Sequence, residues 1–235
     1  MFTASAELYD TIYTSFKDYG AEADRIAALL HAEHPSCRAV LDVGCGTGEH
    51  ARLLTARGYH VDGLDLDPDL LRAAATKNPA SRFYHADMCA FAVDRRYDAV
   101  LCLFSSIGYA RTLERVVEAL ICFRLHLAPG GVVVVEPWFT PEAARPGRTT
   151  SRTVDSPPLR IVRTSRLDVT GRLSRVTFEY EVFGPHGRTH ATELHELGLF
   201  TVGEMTGAFA AAGLSVSYDP SGLTGRGLYV GRAAA

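Results

Sequence analysis

Val40-Leu41-Asp42-Val43-Gly44-Cys45-Gly46-Thr47-Gly48 decides the fold of this chain. An apolar run ends in a turn with glycines at alternate positions, and a helical pattern, His50-Ala51-Arg52-Leu53-Leu54, follows at once. A strand that stops at a glycine turn and hands over to a helix leaves bare backbone exposed, with helix N–H groups aimed at whatever binds there. About twenty residues on, Gly63-Leu64-Asp65 closes a second apolar run with a carboxylate, where a doubly wound sheet places an acid for a ribose diol. Ala86-Asp87-Met88 closes a third run with another acid, suited to a purine amine. The glycine spacing is G-x-G-x-G, not the G-x-G-x-x-G of dinucleotide sites.

Outward from this turn, strand and helix alternate. Strands are predicted at residues 40–43, 61–66, 82–85, 97–104 and 132–136, with helices at 51–56, 68–76 and 112–127. Asp67 suits the N-cap of the second of these helices and Pro68 its first position. Residues 97–104 are nearly continuous and apolar, as a strand buried on both faces requires. Pro129-Gly130-Gly131 is expected to turn the third helix into the next strand. The rhythm predicts an α/β fold, a Rossmann-like, doubly wound and mostly parallel sheet with helices on both faces.

The rhythm breaks after Trp138. Residues 160–168, 173–183 and 189–197 read as strands with period-two alternation, Val176, Phe178, Tyr180 and Val182 against Thr177, Glu179 and Glu181. This predicts an antiparallel β module inserted in the parallel fold. Residues 141–190 hold nine arginines and five acids, 9 − 5 = +4, in a chain of net charge −3. Either an anionic ligand or a solvated two-sided sheet accounts for that excess. A helix over 204–212 ended by Gly213, then strands at 214–218 and 227–231, completes the α/β pattern, the two strands antiparallel at the sheet edge. Four segments result: 1–34 helical, 35–140 core, 141–197 antiparallel module and 198–235 completion of the core. The aromatic first segment, with Leu8, Tyr9, Ile12, Tyr13 and Phe16 at helical spacing, is either a lid over the ligand or a packing layer.

A chain of 235 residues with 47% hydrophobic and 22% charged content is an ordinary globular composition. The negative balance argues against general nucleic-acid or membrane binding, and no apolar run is long enough to span a bilayer. No secretory signal is evident at the start, so a cytoplasmic location is expected. The five cysteines form no C-x-x-C pair and are expected to be free thiols in a reducing compartment. His186, His190 and His195 match no zinc spacing, and no metal site is expected. His85 and His126 read as structural histidines.

Glycine turn, ribose acid and purine acid, in this order, resemble the class I S-adenosylmethionine-dependent methyltransferases. Further blocks extend the resemblance over essentially the whole chain: Ala6-Glu7-Leu8-Tyr9-Asp10, Lys17-Asp18-Tyr19, Phe104-Ser105-Ser106-Ile107-Gly108-Tyr109, Val132-Val133-Val134-Val135-Glu136-Pro137-Trp138 and Gly225-Arg226-Gly227-Leu228. These are similar to the N,N-dimethyltransferases that act on nucleotide-linked amino sugars in natural-product biosynthesis.

The resemblance implies S-adenosylmethionine as cofactor and a dTDP-linked amino deoxysugar as substrate. For the cofactor it implies Tyr9 and Tyr19 closing over the amino-acid end, Gly44 and Gly46 lending backbone, and Asp65 taking the ribose hydroxyls. Asp87 accepts from the adenine amine with Met88 beside the ring, and Leu103 adds apolar packing. For the substrate it implies Tyr109 as positioner or proton relay, Trp138 as a wall of the sugar pocket, and Arg226 for the diphosphate. Arg175 is a further anion candidate. Relatives carry a tyrosine near the sugar where Phe2 is the nearest aromatic here, a departure that removes a hydroxyl. The module that carries the arginines also suits subunit pairing, and a homodimer is expected. Two alternatives stay open: a small-molecule N- or O-methyltransferase with a non-nucleotide acceptor, and a non-catalytic S-adenosylmethionine-binding partner protein.

Overall fold

The computed structural model describes residues 6–185 and 187–233. Phe2 and His186 lie outside the described residues. Two helices lead in, α1 (Ala6–Thr14) and α2 (Tyr19–Glu33). Then come β1 (Ala39–Val43), α3 (Glu49–Thr55), β2 (His60–Asp65), α4 (Pro68–Lys77), β3 (Phe83–His85) and β4 (Tyr97–Cys102). A 3-10 turn (Ser106–Ala110), α5 (Leu113–Leu125) and β5 (Leu127–Val135) follow. The insert is β6 (Thr149–Ser156), β7 (Leu159–Thr170), β8 (Leu173–Gly184) and β9 (Gly187–Gly198). The chain closes with α6 (Val202–Ala211), β10 (Leu214–Asp219) and β11 (Leu228–Ala233).

The large sheet has the order β3-β2-β1-β4-β5-β11-β10. Its strands are parallel except β11, which pairs antiparallel with both β5 and β10. The last two strands are therefore not both at the edge: β11 is inserted and β10 forms the rim. The connections run outward from β1 in one direction and from β4 in the other. That reversal opens a crevice at the carboxyl ends of the central strands. Val132, Val133, Val134 and Val135 are fully buried, as a run covered by helices on both faces must be.

Local chemistry sets the element ends. The Asp67 carboxylate accepts from the N–H groups of Asp69 and Leu70, with Pro68 in the first turn. The Thr201 hydroxyl and the Glu204 carboxylate form a reciprocal capping box on α6. Pro129-Gly130-Gly131 does not end a strand. Leu127 pairs with Tyr97 and Val132 with Ala99, so these residues bulge out of a continuous β5.

The insert is an antiparallel sheet in the order β6-β7-β8-β9. β6 has no counterpart in the sequence-based expectation. It is an edge strand with a single apolar residue, Val154, so no period-two signal marks it. Register puts Thr150, Ser165, Phe178 and Glu193 in one row across the inner face, and Arg152, Arg163, Tyr180 and Ala191 in the next. Helix α1 packs on this face through Ile12, against Val154, Ile161 and Tyr180. The same helix is tied to the core by Asp10, whose carboxylate accepts from Thr47 Oγ1 at 2.5 Å and Lys77 Nζ at 2.7 Å. It bridges the two sheets across the crevice. All five cysteines are free, and His126 is satisfied on both nitrogens, by Cys122 O and Val93 N.

Candidate active site

The glycine turn sits where β1 ends. Gly44 and Gly46 hold φ of 71° and 55°, conformations that side chains resist. A Cβ on Gly44 would lie 2.6 Å from Ser106, so this glycine lets the 3-10 turn pack against the loop. A Cβ on Gly46 would meet only the Tyr9 hydroxyl, at 4.0 Å, and would project into open crevice. The Gly46 N–H donates to Asp65 Oδ2 at 2.8 Å, and the Asp67 N–H to Asp65 Oδ1 at 3.0 Å. These bonds aim the carboxylate at the space above the turn, while burial raises its pKa. Beneath the turn Asp42 is buried on β1, and its Oδ2 has no hydrogen-bond partner. Desolvation pushes its carboxyl up to about 6. An open cradle over glycine backbone with the Asp65 carboxylate at its rim fits a donor carrying a ribose.

One cavity of about 1120 Å³ extends from this cradle. Tyr9, Gly44, Gly46, Asp65, Met88, Tyr109, Trp138 and Arg226 all line it. Tyr19 is buried behind Tyr9, with a hydroxyl-to-hydroxyl bond between them. Asp87 does not line the cavity, although its neighbours Ala86 and Met88 do. Its Oδ1 accepts from the Cys89 N–H and its Oδ2 from Arg115. Burial works against these two donors, yet they hold the carboxyl below its ordinary range. Leu103 is part of the apolar core beside β1 and β4 and does not line the cavity. Arg175 is not brought to the cavity either. Its neighbours Ser174 and Val176 face inward, so the pleat turns Arg175 to the outer face, where it meets Glu196 at 2.8 Å.

The far end of the cavity is built by a strained turn. Phe104 and Ser105 have φ of 49° and 69° although neither is glycine. The Phe104 N–H donates to the fully buried Glu136 at 2.7 Å, and Ser105 Oγ donates to Pro137 O at 2.8 Å. These anchors hold the conformation, a kind of strain that accumulates at functional sites. Glu136 also accepts from Thr224 Oγ1, and Arg226 Nη2 stands 3.7 Å from it. The Arg226 guanidinium lies over the Phe104 and Trp138 rings. Trp138 Nε1 donates to the buried Ser174 hydroxyl at 2.8 Å, which fixes that wall to the insert.

Several lining groups are not among the site residues named from the sequence, although the insert's arginine excess pointed to an anionic ligand. Lys17 is buried against Glu22, with its ammonium over the Tyr19 and Phe104 rings, and burial lowers its pKa. Arg148, Arg152 and Arg163 line the cavity from β7 and from β6 and the loop before it. His195 Nδ1 lies 2.7 Å from Tyr109 Oη across 86 residues of chain. For His195 the available clue was parity. Glu193 and His195 occupy inward positions of β9, alternating with Thr192, Leu194 and Glu196.

Residues 40–131 match the family described as "Methyltransferase domain". With the parallel sheet, the inserted β11 and the glycine cradle, this defines the class: a methyltransferase of the Rossmann-like fold. A Streptomyces fradiae protein named dTDP-3-amino-3,6-dideoxy-alpha-D-glucopyranose N,N-dimethyltransferase is 42% identical over 96% of this chain and 89% of its own. The crystal structure of Streptomyces venezuelae DesVI superposes with a TM-score of 0.93 at 38% identity, covering 97% of this chain and 98% of that one. The S-adenosylmethionine-bound structure of CalS10, an amino pentose methyltransferase from Micromonospora echinaspora, gives 0.89 at 35% identity, covering 97% of each. The chain belongs to the family of the dTDP-amino-sugar N,N-dimethyltransferases.

Proposed function

We propose that the protein transfers methyl groups from S-adenosylmethionine to the amine of a dTDP-linked amino deoxysugar, giving the dimethylamino sugar of a natural-product pathway. One observation carries this: a single cavity joins the Gly46 and Asp65 cradle to Tyr109, Trp138 and the arginines of the insert. At about 1120 Å³ the cavity exceeds the largest usual single-ligand pockets, of about 1,000 Å³, and one continuous space reaches both the cradle and the sugar wall.

S-adenosylmethionine supplies a methyl group already activated on sulfur, which leaves the protein to bind, orient and exclude water. Gly44, Gly46 and Tyr9, the last backed by its hydrogen bond to Tyr19, hold the amino-acid end of the donor, and Asp65 its ribose hydroxyls. Asp87 keeps lone pairs beyond those given to Cys89 and Arg115, enough to accept from the purine amine beside Met88. Leu103 backs the site as apolar packing. Tyr109 orients the acceptor nitrogen and Trp138 walls the sugar. An amine with a pKa two units above neutrality is about 1% free base at pH 7, and an aromatic surround favours that neutral form. Arg226 faces the diphosphate, a planar guanidinium matched to phosphate oxygens, and Arg148 and Arg152 extend the positive wall.

Mass spectrometry of products from a panel of dTDP-linked 3-amino and 4-amino deoxysugars tests this. The 3-amine comes first, because the relative at 42% identity is named for one. Two methyl groups on one sugar are expected. Transfer only to free amines or hydroxyls would favour a non-nucleotide acceptor, and donor binding without turnover a non-catalytic partner.

We place the enzyme in the cytoplasm as a homodimer. The five free thiols suit a reducing compartment. The outer face of the insert, with Phe183 exposed on it, suits a second copy. Light scattering measures the assembly.

A further inference from the structure

Behind Tyr109 the insert holds a polar pair with no task in the binding scheme above. Glu193 and His195 are two residues apart on β9 and both face inward. They are 7% and 4% exposed. Tyr109 Oη is 2.7 Å from His195 Nδ1, and His195 Nε2 is 3.5 Å from Glu193 Oε2. That same carboxylate oxygen accepts from the Tyr180 hydroxyl at 3.0 Å. Phenol, imidazole and carboxylate run in a line from the cavity into the dry interior of the sheet. Phe178 edges the imidazole at 5.2 Å and keeps water from its flank. Titratable groups around the line include Tyr180 from β8, Arg163 from β7, Tyr9 and Tyr13 from α1, and Asp65 at the end of β2.

The chemistry of this line is directional. Glu193 stands 3.5 Å from Nε2 without a formed hydrogen bond, and its charge favours the proton on that nitrogen, which leaves Nδ1 to accept from the Tyr109 hydroxyl. Tyr109 is 42% exposed as a residue, but desolvation at its hydroxyl end raises the phenol above its ordinary range; it is neutral at pH 7 and by itself a poor base. With an imidazole behind it, the hydroxyl accepts one proton while it releases another and never carries the charge. The acceptor amine needs such a path. It arrives mostly as ammonium, and each methyl transfer leaves an alkylammonium that must lose a proton before the nitrogen attacks again.

We propose that His195, oriented by Glu193, acts through Tyr109 to take the proton given up by the acceptor amine at each round of methyl transfer. This rests on the amino-sugar assignment with Tyr109 facing the acceptor nitrogen. The ammonium N–H bond breaks as a bond to Tyr109 Oη forms. The original Tyr109 O–H bond breaks as the Nδ1–H bond forms. The positive charge moves from the amine to the imidazole, beside Glu193. The proton returns by the same path to water when product leaves the cleft. His195 and Glu193 are positioning residues here, since only Tyr109 reaches the amine.

The test is the pH dependence of kcat and kcat/KM for the wild type, His195→Gln and Glu193→Gln, with a dTDP-linked 3-amino sugar and saturating S-adenosylmethionine. At pH 7 both variants should lose about 10- to 100-fold in kcat, the upper bound set by the roughly 1% free base available without a relay. The loss should shrink to less than about twofold at pH 9.5, where roughly three-quarters of such an amine is neutral, with KM and cofactor affinity unchanged throughout. Equal loss at every pH, or a loss confined to KM, overturns the relay while the amino-sugar assignment stands. A wild type that binds S-adenosylmethionine and methylates no amine overturns that assignment and the relay with it. Should His195→Gln melt early, Glu193→Gln, which keeps side-chain volume and the Tyr180 contact, decides the matter alone.

Discussion

The Thr47 hydroxyl, in the glycine turn, donates to Asp10 Oδ1 on α1 at 2.5 Å. This bond fastens the helix that carries Tyr9 to the loop that forms the floor of the cradle. Lys77 on α4 holds the other oxygen of the same carboxylate. The roof of the donor site is therefore latched to its floor through one side chain.

Asp10→Ala should open that latch. A hydrogen bond to a charged group contributes about 1.5–3 kcal/mol, so the dissociation constant for S-adenosylmethionine should rise about tenfold or more. Lys77 keeps Glu49 at 3.4 Å as a partner, which limits the loss of fold stability. Isothermal calorimetry reads the affinity; an unchanged value would show that the helix is held by Ile12 and its neighbours instead.

Asp42 sets a pH dependence of stability. Its carboxyl is raised from 3.8 to about 6 by burial, so the folded state carries an unfavourable charge above pH 6. That cost is fully present above about 6 and fades as pH falls towards 3.8, where the carboxyl is neutral in both states. Two pKa units correspond to about 2–3 kcal/mol. Asp42→Asn should raise the melting temperature of the ligand-free protein at pH 8, and the gain should shrink between pH 6 and 4. Thermal melts at both ends of that range check the sign.

Trp138→Phe keeps the aromatic wall but removes its bond to the buried Ser174 hydroxyl. Ser174 Oγ still donates to Leu197 O at 3.0 Å, so the fold should hold. The loss of about 1 kcal/mol should raise KM for the nucleotide sugar about fivefold and leave cofactor affinity alone. Steady-state kinetics with each ligand varied in turn separates the two.

Arg226→Ala should cost binding and stability together. It removes the guanidinium proposed to face the diphosphate and leaves Glu136, fully buried, without the cation 3.7 Å away. The dissociation constant for dTDP should rise about 10- to 100-fold, in line with 1.5–3 kcal/mol for a charge-assisted bond, and the melting temperature should fall. Arg226→Lys should recover more of the stability than of the affinity, since an ammonium restores the charge without the planar fork. An unchanged dTDP affinity would move the diphosphate elsewhere, with Arg148 and Arg152 the next residues to substitute.

The sequence by itself determined the parallel sheet and the cradle. Gly44, Gly46, Asp65 and Met88 come within one continuous stretch, and their meaning follows from local rules: a strand, a glycine turn, a helix, an acid at the next strand end. It also located the insert, because three of its strands alternate. The edge strand β6 escaped, since of its inward positions, Thr150, Arg152 and Val154, only Val154 is apolar. Only the tertiary structure decided which of the insert's arginines reach the cavity. A slip of one residue in register sends every side chain of a strand to the other face, so Arg152 and Arg175 are alike in sequence and opposite in place. The same holds for Tyr109 with His195 and for Arg226 with Glu136. Those partners are tens of residues apart, and neighbours along the chain say nothing about them until the sheets pack and bring them within a few ångströms.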